Sequence, residues 1–198
     1  MMTMNRSAEV ERITKETSVR ISFTLDGQGR SETFSGIPFF DHMLTLFAVH
    51  GYFDLSLQAE GDLDVDFHHT VEDVGLVLGD AITKALGERK GIRRYGHAVV
   101  PMDDALAAVS IDLSNRPFLV YNVPEPAVSA IALNSPLVKE FFRALVNRGG
   151  MNLHINVAYG ENDHHVIESI FKAFGRALDQ ASSIEGRTAA VPSSKGTL

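Results

Sequence analysis

The segments DFHHTVEDVGL (Asp66–Leu76) and DHHVIESIF (Asp163–Phe171) each place two adjacent histidines just ahead of a glutamate. One set is His68, His69 and Glu72; the other is His164, His165 and Glu168. Successive residues of an α-helix are about 100° apart, and positions i and i+4 nearly eclipse. His68 can therefore share one ligand with Glu72, and His164 one with Glu168. His69 and His165 point roughly a quarter-turn away, towards something else. Each helix thus offers two ligand directions, and two such helices can serve two metal ions. Histidines near a single helix start read as ordinary surface residues, but a second copy of the pattern at a matched place favours metal binding. Imidazole and carboxylate without thiolate suit manganese, iron(II), zinc or cobalt, and the donors alone do not choose among them. An open position in such a shell would admit a substrate or water.

His42 in FFDHML is a further candidate, with Asp41 beside it as an acceptor for the ring nitrogen that does not face a metal. A lone histidine on an apolar helix is ordinarily a satisfied core residue. Its counterpart in the second half is Glu140, another competent ligand, and that favours metal for both. His50, His97 and His154 have no such echo and read as structural.

The elements that must carry these residues occur twice. VRISFTLDGQGRSETFSG reads as two strands around a Gly-rich turn, with Val19, Ile21, Phe23 and Leu25 alternating. Pro38–Gly51 reads as a helix opened by proline and closed by glycine, FDLSLQA as a strand, and the stretch from about Phe67 to Gly87 as a helix. The second half repeats the order: strands in AVVPMDDALAAVSIDLS and RPFLVYNV, a helix over Pro136–Gly150, a strand in MNLHINVA, and a last helix from His164. Pro38 matches Pro136, Gly51 matches Gly149 and Leu55 matches Leu153 at one constant offset. After a two-residue adjustment His68, Glu72 and Gly79 match His164, Glu168 and Gly175. The fold expected is α+β, an internally duplicated β-β-β-α-β-α unit with each sheet covered by helices. Residues 1–92 form the first half and 93–198 the second, in one structural domain.

Composition narrows the function. The 198 residues carry a formal charge of −7 and no Lys/Arg-rich tract, which argues against nucleic acid or an anionic membrane surface. With no cysteine there is no disulfide, thiolate zinc site, iron–sulfur cluster or thiol nucleophile. No run approaches the ~20 apolar residues of a membrane span, and MMTMNRSAEV lacks the apolar core of a signal peptide. A cytoplasmic protein is the expectation.

Together FFDHML, DFHHTVEDVGLVLGDA, RYG, PMDDALA, DLSNRP and DHHVIESIFKAFGRAL resemble the imidazoleglycerol-phosphate dehydratase family, from about Arg12 to the terminal PSSKG. The resemblance implies trimers assembled into a shell of twenty-four subunits, with active sites between subunits and two manganese ions in each. Carried over by motif, the metal ligands are His42, His68, His69, Glu72, His164, His165 and Glu168. Where the family reads VEHFF this chain reads VKEFF, so Glu140 replaces one imidazole. Substrate contacts fall on Glu16, His42, Arg94, Arg116, Lys172, Ser194 and Lys195. AAVPSSKGTL, which alone reads as a frayed end, becomes a phosphate clamp, since guanidinium and ammonium groups suit a phosphate dianion. Arg89, Lys90 and Arg93 read as ordinary surface charge.

The chemistry implied is loss of water from imidazoleglycerol phosphate, giving imidazoleacetol phosphate in histidine biosynthesis. The imidazole ring of the substrate serves as the electron store, because no carbonyl lies beside the carbon that loses its proton. Glu16 and Glu168 are the carboxylates expected to move protons. A two-metal phosphatase of a small metabolite shares the metals and the basic handles. A metal-storage protein is a third class, but ferritin-like bundles present Glu-x-x-His on four helices, the reverse of this motif.

Overall fold

A computed structural model describes residues 6–124, 133–187 and 189–196. Residues 1–5 and 197–198, the ends of the N-terminal segment and of the tail, lie outside them. The first half supplies β1 (Ser7–Ile13), β2 (Thr17–Thr24), β3 (Ser31–Phe34), α1 (Pro38–Gly51), β4 (Asp54–Gly61) and α2 (His68–Leu86). The second supplies β5 (Tyr95–Met102), β6 (Ala105–Asp112), β7 (Phe118–Asn122), α3 (Ser135–Gly149), β8 (Asn152–Tyr159) and α4 (Asp163–Ser182). The two sheets have the same order, β1-β2-β4-β3 and β5-β6-β8-β7. In each, the last pair is parallel and the others antiparallel. This is the duplicated unit that the sequence pattern predicts.

Period-two alternation puts Val19, Ile21 and Phe23 of β2 and Ala107, Val109 and Ile111 of β6 on the buried faces. The helices cover those faces and pack on one another between the sheets, α1 against α4 and α2 against α3. Aromatic rings fill this layer: Phe47 and Phe174 have centroids 5.0 Å apart, and Phe40 meets Phe141 at 5.3 Å.

Glycine sets how closely the helices cross. A Cβ on Gly175 would lie 2.5 Å from the Phe47 carbonyl oxygen, and one on Gly79 would lie 2.6 Å from that of Leu145. These are the duplicated glycines of α4 and α2, so both crossings use the same device. Gly175→Ala should lower the unfolding free energy by about 1–3 kcal/mol, the usual effect of overpacking a tight core contact. Denaturant melts of the two proteins measure it, and an unchanged midpoint would show that the crossing has slack.

Two readings of the sequence change here. The strands flanking the Gly-rich turn do not pair with each other. β2 lies between β1 and β4, and β3 joins the far edge of β4. The reason is Asp54 at the start of β4, whose Oδ1 accepts from the Gln28 and Arg30 amides at 2.8 and 3.0 Å and leads the loop across the sheet end. β1 is the first of the three strands expected in this half, and its place is hard to read from the residues because only Val10 in it is buried, leaving an edge strand little alternation. Arg89 is not surface charge. It is 4% exposed, and its guanidinium donates to the carbonyls of Gly149 and Gly150 at 2.8 and 2.7 Å, closing the end of α3.

Candidate metal and substrate site

Both His-His-x-x-Glu motifs begin a helix in the same way. Asp66 Oδ1 accepts from the His68 amide at 2.7 Å, and Asn162 Oδ1 accepts from the His164 amide at 2.9 Å. These side chains satisfy a backbone N–H that the first helical turn leaves unpaired. They also hold the histidines on the first turn, where all four are partly exposed.

The α1–α4 crossing brings His42 to His164 and Glu168. Glu168 is 6% exposed. Its Oε2 lies 3.1 Å from His164 Nε2 and 3.4 Å from His42 Nε2, and its Oε1 lies 2.6 Å from Lys172 Nζ. Burial raises the Glu168 pKa, but the Lys172 hydrogen bond, reinforced by His164 and His42, outweighs it and holds the carboxyl below its ordinary value. Phe39 packs edge-on against His164 with centroids 5.0 Å apart, orienting the ring. Among the described residues, His42, His164 and Glu168 form a group whose ligand atoms lie within 4.8 Å of one another. Adjacent ligands on a first-row divalent ion about 2.1 Å away stand about 3 Å apart, so these three donors fit a metal. The two imidazoles are open to solvent on the outer side, with 47% and 44% of their side-chain surface exposed.

The α2–α3 crossing builds the related group. His68 Nε2 lies 3.7 Å from Glu72 Oε2, and His68 and Glu140 line one cavity of about 320 Å³ with Tyr121, Ser135 and Lys139. Glu140 Oε2 is buried with no hydrogen bond, although Arg143 stands against it as an ion pair without hydrogen-bond alignment. That oxygen already faces the Arg143 guanidinium, and among the described residues His68, Glu72 and Glu140 are not brought together as a metal-sized group, unlike His42, His164 and Glu168. The two groups are not equivalent, because the lysine that follows Glu168 by one turn, Lys172, has Leu76 as its counterpart after Glu72.

His69 and His165 turn aside from their helix partners. His69 Nδ1 lies 3.0 Å from Asp62 Oδ2 and 3.9 Å from Glu16 Oε2, and the Asp62 contact raises its pKa. His165 Nδ1 lies 2.5 Å from Asp104 Oδ1, and that contact raises the His165 pKa and lowers that of Asp104. Asp62 and Asp104 were missed as partners in the sequence. Asp104 lies in the quoted PMDDALA, but only the two-residue β5–β6 turn brings it under α4.

The residues expected to contact substrate are distributed as follows. Lys172 is bound to Glu168, while Arg116 is exposed. Arg94 is 9% exposed; its Nε and Nη2 donate to Asp112 at 2.7 and 3.1 Å, and its Nη1 donates to the Pro192 carbonyl at 2.7 Å. The tail is thereby tied back to the start of the second half, with the Gly91 amide also donating to the Ala190 carbonyl at 3.0 Å. Ser194 and Lys195 follow this anchor and are exposed.

Comparison with known proteins agrees over the whole chain. A family profile described as "Imidazoleglycerol-phosphate dehydratase" matches residues 35–178. A protein of that name from Syntrophobacter fumaroxidans is 60% identical over 197 residues and is covered end to end, as is this chain. One from Desulfosudis oleivorans is 60% identical over 195 residues, covering 98% of this chain and 100% of the relative. The crystal structure of imidazoleglycerol-phosphate dehydratase from Staphylococcus aureus superposes with a TM-score of 0.81 at 38% identity, covering 90% of this chain and 99% of that one. That of the Pyrococcus furiosus protein in complex with (S)-C348 gives 0.83 at 36%, covering 96% and 100%.

Proposed function

We propose how this chain, which belongs to the imidazoleglycerol-phosphate dehydratase family, removes water from imidazoleglycerol phosphate in histidine biosynthesis. The hydroxyl on the side-chain carbon next to the ring departs, the neighbouring carbon gives up its proton, and the resulting enol becomes the ketone of imidazoleacetol phosphate. His42, His164, Glu168 and His165, with His68, His69, Glu72 and Glu140, would hold two manganese ions per active site. Bound metal would take the place of the ring N–H proton, so that the substrate ring can supply the electron pair that expels the hydroxyl and take one back as the neighbouring carbon loses its proton.

The rest falls to the protein. Glu168 stays ionised beside Lys172 and receives or returns a proton at the reacting carbons. Glu16, exposed and only loosely engaged with His69 at 3.9 Å, is the second proton carrier. Lys172, Arg116, Ser194 and Lys195 bind the phosphate. Arg94 joins them with the N–H groups not spent on Asp112 and Pro192, and it also holds the tail in place. Phosphate binding fixes a part of the substrate that does not react and so orients the carbons that do.

Glu16 stands with His69 and Asp62, whereas Glu168 stands with His42 and His164. By family resemblance we take the active sites to be shared between subunits, in trimers built up to twenty-four. We read residues 1–92 and 93–198 as the two halves of one domain, and the protein as cytoplasmic with neither nucleic acid nor membrane as partner. No helix among the described residues is long and apolar enough to cross a membrane.

The observation that carries the reading is the meeting of His42, His164 and Glu168 across the two halves, with Lys172 on the free carboxylate oxygen. Metal analysis coupled to turnover of imidazoleglycerol phosphate tests it. We expect a ketone with its phosphate retained, a rate that falls to the blank on chelation, and recovery with manganese. Release of inorganic phosphate instead would make the protein a phosphatase.

A further inference from the structure

We propose that Asp104 is a positioning residue that fixes His165 with its Nδ1–H towards the carboxylate and its Nε2 turned outwards for a metal. The inference rests on the metal reading above and assigns a role to a residue outside the ligand set. Three contacts carry it. Asp104 Oδ1 lies 2.5 Å from His165 Nδ1. Asp104 Oδ2 accepts from the Glu161 and Asn162 amides at 2.6 and 2.9 Å. Asn162 in turn receives the His164 amide, so one carboxylate braces the turn before α4 and the second imidazole on it. A carboxylate on one ring nitrogen selects the tautomer whose other nitrogen is a free donor of electrons, which is the form a metal takes.

The duplication gives the position its meaning. β2 begins at Thr17 and β6 at Ala105, so Glu16 and Asp104 are twins, each next to the second histidine of a motif. The shorter Asp104 has both oxygens occupied. The longer Glu16 stands 3.9 Å from His69 and leaves the work of orienting that ring to Asp62 at 3.0 Å. One twin is therefore committed to holding an imidazole, and the other is free to exchange protons. Asp103, at 3.5 Å from His165 Nε2, is 70% exposed on its side chain and can swing aside.

Asp104→Asn separates orientation from bracing. Its amide oxygen still accepts from the Glu161 and Asn162 amides, while its NH2 faces His165 Nδ1 and favours the opposite tautomer. Manganese titration followed by electron paramagnetic resonance should show one class of site weakened about 10- to 100-fold, the usual effect of removing such a partner. The thermal unfolding midpoint of the metal-free protein should fall slightly, through the lost charged contact to His165, while the two backbone contacts are kept. In a His165→Ala background the same substitution should have no further effect on manganese affinity. An Asn variant that binds both ions as the parent does, or one that weakens binding equally in the two backgrounds, overturns the inference. Parent protein that binds no manganese would overturn the metal reading, and this inference with it.

Discussion

Replacing Glu168 with glutamine should lower kcat by about 10³-fold or more and remove metal from the protein. The carboxylate faces two imidazoles through one oxygen and Lys172 through the other. Glutamine keeps the shape but brings an NH2 to one side and no charge to either. General acid–base groups contribute about 10²–10⁴-fold, and the lost ligand adds to that. Lys172 keeps 16% of its side-chain surface and loses its ionised partner, so stability should also fall by about 1–3 kcal/mol, the scale of a hydrogen bond to a charged group. Metal content, steady-state kinetics and a denaturant melt of the one variant read the three effects separately. A variant with full metal and parental kcat would remove Glu168 from both roles.

Glu16→Gln should behave differently, and the contrast is informative. The Glu16 side chain is 57% exposed, with its carboxylate 3.9 Å from His69 Nδ1. In the metal-free fold its charge reaches only His69, across 3.9 Å, so melting should change little and bound metal should remain. Turnover should fall by about 10²–10⁴-fold, the contribution of a group that moves a proton, with a much smaller change in KM. Full turnover with both metals in place would show that another group carries that proton.

Much of this site was legible because its parts are local. A histidine and a glutamate four residues apart must share a helix face, and the Pro and Gly residues that bound α1 and α3 stand within a residue of the ends. The pairing of His42 with Glu140 followed from the duplication, and the structure puts each beside a motif from the opposite half. The rest depends on contacts between segments distant in sequence. Nothing near His165 announces Asp104, which arrives from a hairpin on another strand. Nothing near Arg89 announces that Gly149 and Gly150 will place carbonyls over it. The position of β3 escaped for the same reason, since strand order is decided by a carboxylate in β4 that the alternating pattern does not register.

Because each helix crossing joins one half of the chain to the other, an ancestor of half this length would have needed a second copy of itself to complete either cradle. In such a self-paired ancestor every substitution would appear at both crossings at once. Joining the copies into one polypeptide lifts that constraint. It is what allows Lys172 to stand after Glu168 while leucine occupies the matching place after Glu72, so that one cradle could acquire an anchor for negative charge and the other remain without it.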